Sequence, residues 1–275
     1  RVRAPAAGGP ATRNPADPAR RARRRDRDGR TGGRRPMSED HPYRLDPYLT
    51  EAEGRVLALP EGRVRLDRSL FYPAGGGQPG DAGRIAFAGG EAEVVDSVKG
   101  EGGTVELILA EGAPLPAEGE SVRQSLDAAR RRAHMRVHTA LHLLSVVIPL
   151  PVTGGQIGAG KGRLDFDMED PPEDRAALEA ALQALVDADH PVSEDWITDA
   201  ELDANPSLVK TMSVKPPTGQ GRVRLVRIGA GETPVDLQPC GGTHVRATGE
   251  IGRVRLGKIE KKGRRNRRVT LHVED

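Results

Sequence analysis

The chain has 275 residues, 36% of them hydrophobic and only 3% aromatic, which allows one large domain or two modest ones with aliphatic cores. Its single cysteine excludes an internal disulfide, and no segment is long and apolar enough for a membrane span or a secretory signal. We therefore expect a cytoplasmic protein without a membrane partner. The net charge of +2 conceals an uneven distribution of basic and acidic side chains along the chain.

The first 36 residues carry a charge that the rest of the chain does not share. They contain twelve Arg and three Asp, whereas residues 37–275 contain 30 basic and 37 acidic side chains. With almost no large apolar side chain, residues 1–36 are predicted to be a disordered leader. This leader is either an extension upstream of a native start at Met37 or an arginine-rich arm that binds RNA.

Short apolar runs separated by Gly and Pro fill the chain from residue 42 to residue 122. Runs of four to six residues at this spacing predict a small antiparallel β-barrel or sandwich, which we assign to a domain at 37–124. Inside it, residues 75–81 read Gly-Gly-Gly-Gln-Pro-Gly-Asp. This segment is either a wide turn or a backbone surface that a ligand can approach closely.

A helix is predicted to begin near residues 125–127 and to end at Ile148, before Pro149. The motif His-Thr-Ala-Leu-His at 138–142 falls within it, so its two histidines lie one turn apart on the same face. His134 extends the row by a further turn. The outer histidines of this row are too far apart for one ion, so His134 is interpreted as a polar neighbour.

A second motif, Cys-Gly-Gly-Thr-His at 240–244, supplies the only cysteine and another imidazole. Three imidazoles and one thiolate are ligand types that zinc prefers. The sequence therefore predicts a site for one Zn²⁺ formed by His138, His142, Cys240 and His244. Four protein ligands can fill a tetrahedron in a purely structural site, but a displaced ligand would open a position for water or substrate, and both roles remain open.

The segment 155–162 resembles a phosphate-binding loop up to its last position, where Gly162 replaces the required Ser or Thr. Residues 163–167 alternate like a strand where a helix should follow, so we do not expect nucleotide hydrolysis. Further on, a helix is predicted over 171–188 with Asp170 as its cap, and strands are predicted near 223–228, 252–259 and 268–273. The expected fold is α+β, with a mixed α/β domain at 125–275 after the barrel.

Three motifs carry a family resemblance in the right order along the chain. Residues 136–144 (Arg-Val-His-Thr-Ala-Leu-His-Leu-Leu), 235–245 (Val-Asp-Leu-Gln-Pro-Cys-Gly-Gly-Thr-His-Val) and 248–252 (Thr-Gly-Glu-Ile-Gly) resemble the editing domain of alanyl-tRNA synthetase. The same domain occurs in freestanding editing proteins of the AlaX type. Residues 71–81 resemble the glycine-rich motif of the β-barrel that precedes this domain, and the resemblance spans residues 42–273.

The resemblance implies a function and a mechanism. It implies hydrolysis of the ester on tRNA(Ala) that carries serine, and possibly glycine, in a freestanding editing protein of medium length that is a monomer or a weak dimer. Attachment of the wrong amino acid to tRNA(Ala) arises because serine and glycine differ too little from alanine for one synthetic pocket to reject them. Zinc could activate the attacking water, or it could position and polarise the substrate, and we favour the second role.

The resemblance also assigns residues. Gln78, His138 and Cys240 are the candidate catalytic residues. The family often has Thr where this chain has Ser69, which puts the contribution of that side chain to selectivity in doubt. The candidate substrate-binding residues are Ser69, Gly75, Gly76, Gly77, Gln78 and Thr243.

RNA binding requires local positive charge, because the chain after residue 36 is acidic on balance. The segment 252–268 supplies this charge. A predicted strand that carries Arg222, Arg224 and Arg227 at alternate or near-alternate positions could extend the basic surface. The sequence indicates no other phosphate-binding surface after residue 36. A zinc-stabilised RNA-binding module without catalysis is the main alternative, whereas a zinc peptidase lacks the Glu of His-Glu-x-x-His enzymes. The candidate RNA-binding residues are Arg253, Arg255, Lys258, Lys261, Lys262, Arg264 and Arg265.

Overall fold

The computed structural model describes residues 41–212 and 221–274, and the predicted leader at 1–36 lies outside them. All described residues belong to one compact unit. Among them, no helix combines the length and apolar character needed to cross a membrane.

The first half is a closed barrel, as predicted. A short helix α1 (Pro42–Leu45) precedes its strands, which pair antiparallel in the order β1-β2-β5-β4-β3-β6. The last strand was not predicted, because its alternation rests on only a few apolar side chains among polar ones. The strands are β1 (Glu51–Ala58), β2 (Val64–Leu66), β3 (Gly83–Phe87), β4 (Gly90–Lys99), β5 (Val105–Leu109) and β6 (Ser121–Leu126).

A long helix, α2 (Ala128–Val147), follows the barrel directly and confirms the helix predicted over this region. Asp127 caps its first turn by accepting a hydrogen bond from the Arg130 backbone N–H at 2.9 Å. Most side chains from Met135 to Ser145 are buried, because the helix packs against a second helix and a sheet. The His-Thr-Ala-Leu-His motif therefore lies in the interior.

The second half contains two sheets, as expected for an α+β fold. One sheet has the order β12-β13-β8-β7 and the other has the order β11-β10-β9. The segment Lys161–Asp167 is a strand, so no helix N-terminus follows the loop that resembles a phosphate-binding motif. The strands are β7 (Val152–Ile157), β8 (Lys161–Asp167), β9 (Val192–Ile197), β10 (Val223–Ile228), β11 (Asp236–Pro239), β12 (Arg253–Gly263) and β13 (Asn266–Glu274).

The second long helix, α3 (Arg175–Asp187), begins later than predicted. Its N-cap is Asp174, which accepts from the Ala177 backbone N–H at 2.8 Å, so the predicted cap Asp170 is wrong. The two prolines at 171 and 172 explain the error, because a residue before proline is disfavoured in helical conformation. A short helix α4 (Asp199–Ala204) follows β9 and is capped by Thr198.

Helix α3 also covers the outer edge of the four-stranded sheet. The side chains of Gln183 and Glu179 accept hydrogen bonds from the backbone N–H groups of Val254 and Leu256 at 2.9 and 2.8 Å. These two N–H groups of β12 are therefore bound by the protein's own side chains.

A buried ion pair holds the barrel against α2. Arg131 and Asp81 are only 2% and 1% exposed, and the guanidinium also donates to the carbonyl oxygens of Pro47 and Leu70 at 2.8 and 2.9 Å. Asp81 accepts in addition from the backbone N–H of Tyr72 at 2.6 Å. Because Asp81 ends the glycine-rich segment, the pair fixes that segment relative to the helix that carries the histidines.

We expect Asp81→Ala to lower the free energy of unfolding by about 3–5 kcal/mol, because it leaves a buried guanidinium without its counter-ion. Urea denaturation of the purified protein measures the change. Glu91→Ala is the matched control, since it removes a carboxylate from an exposed pair with Arg84 in the same barrel and should cost less than about 1 kcal/mol. Equal losses in the two variants would contradict the stabilising role of the buried pair.

Candidate metal site

The four predicted ligands meet at one point. His138 and His142 come from α2, and Cys240 and His244 come from the loop that follows β11. One potential ligand atom of each residue lies within 4.8 Å of those of the other three. The Cys240 Sγ is 3.5 Å from the Nε2 of His138 and 3.3 Å from the Nε2 of His244. His134 is absent from this cluster, as its interpretation as a neighbour requires.

Each of the three imidazoles is held at its Nδ1 by another polar group. The partners are Gln78 Oε1 for His138 at 2.9 Å, Asp236 Oδ2 for His142 at 2.9 Å, and Thr139 Oγ1 for His244 at 3.1 Å. These contacts orient the rings and leave each Nε2 directed at the centre of the cluster.

The hydrogen-bond network fixes which nitrogen carries the proton. Thr139 donates its hydroxyl to the Met135 carbonyl at 2.9 Å, so it accepts from His244. Gln78 Oε1 accepts from the Thr243 backbone N–H at 3.2 Å, which sets the orientation of its amide and makes it an acceptor for His138. A carboxylate can only accept, so all three imidazoles carry their proton on Nδ1.

The charges inside the cluster act differently on the individual side chains. Burial raises the pKa of the Cys240 thiol, but the adjacent His138 and His244 outweigh burial and hold that pKa well below its usual range. Burial lowers the pKa of His142, but hydrogen bonds to Asp236 and Cys240 raise it to about 9. Asp236 in turn has its pKa lowered to about 2, against the effect of burial, by His142 and Lys210. The lowered pKa favours the thiolate form of Cys240, which is the form that binds metals.

Gln78, a predicted catalytic residue, is buried beneath the cluster. It is 2% exposed, and its Nε2 donates to Thr243 Oγ1 at 2.9 Å while its Oε1 accepts from His138 and from the Thr243 backbone. Gly242 lies against the same imidazole, because a Cβ on it would be 2.2 Å from the Cε1 of His138. Gln78 and Thr243 therefore hold the loop that carries Cys240 and His244 (the metal loop) against α2. Neither side chain lines the cavity described next.

A cavity of about 630 Å³ opens over the cluster, between the barrel and the second half. His138, His142 and Cys240 lie in its wall, together with the predicted residues 75–77. The carbonyl of Gly77 accepts from the Ile157 backbone N–H at 2.8 Å, so the glycine-rich segment is joined to β7. Gly77 has φ +84° and leaves no room for a Cβ against the Gly155 carbonyl.

Ser69 does not belong to the wall of this cavity. The side chain is fully buried, and its hydroxyl donates to the Phe71 carbonyl at 3.1 Å. Its backbone N–H bonds to the His41 ring at 3.0 Å. Ser69 therefore shapes the backbone before the glycine-rich segment.

The cavity contains a set of charges that the sequence did not reveal. No acidic side chain is among the described residues that line it, and five basic side chains are. They come from four separate places in the chain, and only the alternation at 222–227 gave a signal in the sequence. The cavity therefore adds a second group of cations to those that the sequence indicated in the segment after residue 252 and on the strand at 222–227. The five are Arg44, Lys99, Lys210, Arg222 and Arg224.

The predicted RNA-binding residues lie elsewhere, on the hairpin of β12 and β13. All seven are exposed, and the hairpin occupies the sheet edge opposite β7, which lines the cavity. Arg255 and Arg265 form exposed ion pairs with Glu274 and Asp167. The hairpin is thus a separate basic surface.

Comparison with known proteins identifies the class of this fold. Residues 223–270 match the family described as the threonyl and alanyl tRNA synthetase second additional domain. The chain is 38% identical over 225 residues to an alanine–tRNA ligase of Pyrobaculum neutrophilum, of which it spans only 25%. It is 36% identical over 244 residues to the alanyl-tRNA editing protein AlaX-M of Methanosarcina acetivorans, covering 85% of this chain and 98% of that protein. The AlaX-M protein of Methanosarcina mazei is 34% identical over a similar span.

The chain belongs to the family of AlaX-type alanyl-tRNA editing proteins. The predicted resemblance is therefore confirmed, and it extends over both the barrel and the second half of the described structure.

We expect the purified chain to bind about one equivalent of a divalent metal ion, and His138→Gln to lose most of it, because the Nε2 of His138 is one of four clustered ligand atoms. Elemental analysis of the folded fraction after gel filtration measures the content. His134→Gln is the matched control, since His134 lies one turn earlier on α2 and is equally buried. The assignment fails if both variants lose the metal to the same extent.

Proposed function

We propose that this protein is a deacylase that hydrolyses the ester bond of mischarged tRNA(Ala), most of all the seryl ester and also the glycyl ester. The observation that carries the proposal is the cluster of four potential metal ligands (the metal cluster) at the floor of a basic cavity, within a chain related over most of its length to alanyl-tRNA editing proteins. A cavity with cations and no described carboxylate in its wall suits the phosphate-bearing 3′ end of an RNA. Such a protein would act in the cytoplasm.

The metal in this proposal is one zinc ion, held by His138, His142, Cys240 and His244. Two tetrahedral zinc ligands, one nitrogen and one sulfur, are about 3.5 Å apart for ordinary bond lengths. The distances from Cys240 Sγ to the two nearest Nε2 atoms, 3.5 and 3.3 Å, fit that geometry. A bound zinc ion would supply Lewis acidity, either to lower the pKa of a water or to polarise and position the aminoacyl ester.

The remaining residues of the site hold the ligands and the substrate. Gln78 keeps the Nε2 of His138 directed into the cluster, and Thr243 keeps Gln78 in place. Asp236, which is joined to Lys210 at 2.5 Å, does the same for His142. The backbone of residues 75–77 forms the wall that the aminoacyl group would contact, and without side chains it can approach closely.

The same proposal assigns the body of the tRNA to the β12 and β13 hairpin. The hairpin presents exposed cations that line no part of the cavity, so they would contact phosphates away from the reacting ester. Phosphate contacts position an RNA without reading its sequence. The residues proposed to make these phosphate contacts are Arg253, Arg255, Lys258, Lys261, Lys262, Arg264 and Arg265.

We expect the purified protein to release serine from Ser-tRNA(Ala) well above the spontaneous rate and to spare Ala-tRNA(Ala). Cys240→Ala should abolish the activity together with metal binding, and His134→Gln should retain it. Acid-precipitable radiolabelled serine measures deacylation, and circular dichroism checks that each variant is folded. If Ser-tRNA(Ala) decays at the spontaneous rate while metal is bound stoichiometrically, the protein is a non-catalytic RNA-binding module and the proposal fails.

We expect the double substitution Lys258→Glu and Lys261→Glu to raise KM at least about tenfold while kcat stays within about twofold, because hairpin cations would bind phosphates remote from the ester. The slope of log KM against log salt concentration should fall by about one for each lost phosphate contact. Arg123→Glu, an exposed cation on β6 outside the cavity, is the control. An unchanged salt slope would exclude the hairpin as the RNA surface.

A further inference from the structure

We propose that Trp196 and Arg222 form a stacking subsite for the base of the terminal nucleotide of the tRNA. This inference rests on the proposed function, because it places the nucleotide whose ribose carries the ester. Nothing in the sequence motifs pointed to Trp196, which lies on β9 outside all of them.

The two side chains contact each other in the wall of the cavity. The guanidinium carbon of Arg222 lies 5.0 Å from the centroid of the Trp196 ring, and both residues line the cavity over the metal cluster. Arg222 is exposed and forms no ion pair with a carboxylate among the described residues, while Trp196 is half-buried. Nucleic-acid bases stack on aromatic rings and on guanidinium planes, and both surfaces are present here.

The strand register places this pair next to the metal cluster. Trp196 is directly opposite Arg224 in the pairing of β9 with β10, so the two side chains share one face of the sheet. Arg224 donates to the carbonyls of Cys240 and Gly242 at 2.7 and 3.0 Å and is therefore fixed to the metal loop. Arg222 directly precedes β10, and its contact with the Trp196 ring places it beside the same pair.

The other aromatic side chains of the cavity are already engaged. Tyr43 stacks with His41 and meets Tyr72 edge to face, and both tyrosines are at least 95% buried. The hydroxyl of Tyr72 donates to the Gly75 carbonyl at 2.8 Å. Among the described aromatic rings in this wall, the indole of Trp196 is the one available for stacking.

Two further cations complete the subsite. Arg44 lies beside the metal loop, since a Cβ on Gly241 would be 3.8 Å from its guanidinium, and Lys99 lies beside the glycine-rich segment at Gly75. Neither pairs with a carboxylate among the described residues, so both are free to contact backbone phosphates. A base on Trp196 and phosphates on these cations would orient the terminal ribose toward the metal cluster.

The chain contains only one tryptophan, so intrinsic fluorescence reports on Trp196 directly. The experiment titrates the protein with uncharged tRNA(Ala) and with the same transcript lacking its terminal adenosine. We expect saturable quenching by the complete tRNA and much weaker quenching by the shortened one. Equal quenching by the two transcripts, or no quenching by either, overturns the subsite.

Deacylation kinetics provide a second readout. Trp196→Ala and Arg222→Ala should each raise KM about tenfold with kcat within about twofold, and Trp196→Phe, which keeps a ring, should restore most of the loss. Arg123→Ala is the control, because Arg123 is an exposed cation on β6 that does not line the cavity. An unchanged KM in both alanine variants, or no rescue by Phe, overturns the subsite.

The two readouts separate this inference from the proposed function. Uncharged tRNA involves no hydrolysis, so the fluorescence result stands whether or not the protein is a deacylase. If Ser-tRNA(Ala) is hydrolysed but fluorescence does not distinguish the transcripts, the deacylase remains and the stacking subsite fails. If fluorescence distinguishes them and no ester is cleaved, the subsite stands and the deacylase fails.

Discussion

The geometry of the site depends on one constraint: three imidazoles must direct their Nε2 atoms at a single point beside the sulfur of Cys240. A hydrogen bond at the second nitrogen orients a metal-ligating histidine ring, and here each Nδ1 is held by a different part of the protein. Gln78 reaches across from the barrel, Thr139 belongs to the same helix as two of the ligands, and Asp236 comes from β11. The barrel is therefore part of the metal site even though it supplies none of the four clustered ligands.

This dependence explains why the contacts between the two halves are buried and polar. The Arg131 and Asp81 pair sets the position of the glycine-rich segment, and that segment carries Gln78 to His138. The hydrogen bond from Ile157 to Gly77 joins the same segment to the sheet on the other side of the cavity. A small shift of the barrel would move an imidazole and a wall of the cavity together, which couples the geometry of the four clustered ligands to the shape of the cavity.

The sequence predicted what local pattern determines. Apolar periodicity and Asp127 predicted α2, regular short runs predicted a barrel, and the chemistry of the ligand types predicted the four-residue cluster. The same local reasoning placed the start of α3 too early, because it did not weigh the two prolines at 171 and 172. It could not find the cavity cations, since Arg44, Lys99 and Lys210 are scattered along the chain and meet only through the tertiary fold. The position of Gln78 beneath His138 follows from packing between the halves, which no local pattern records.

The contact of α3 with β12 has a consequence for the behaviour of the protein in a crowded solution. An uncovered strand edge is a template on which a second chain can add a strand, and this is a common route to aggregation. Gln183 and Glu179 accept hydrogen bonds from N–H groups of β12 that such a chain would need. On the opposite edge of the same sheet, the carbonyl of Gly77 accepts from the Ile157 N–H. Other parts of the chain therefore bind N–H groups at both edges of this sheet, while the cations of its β12 and β13 hairpin remain exposed.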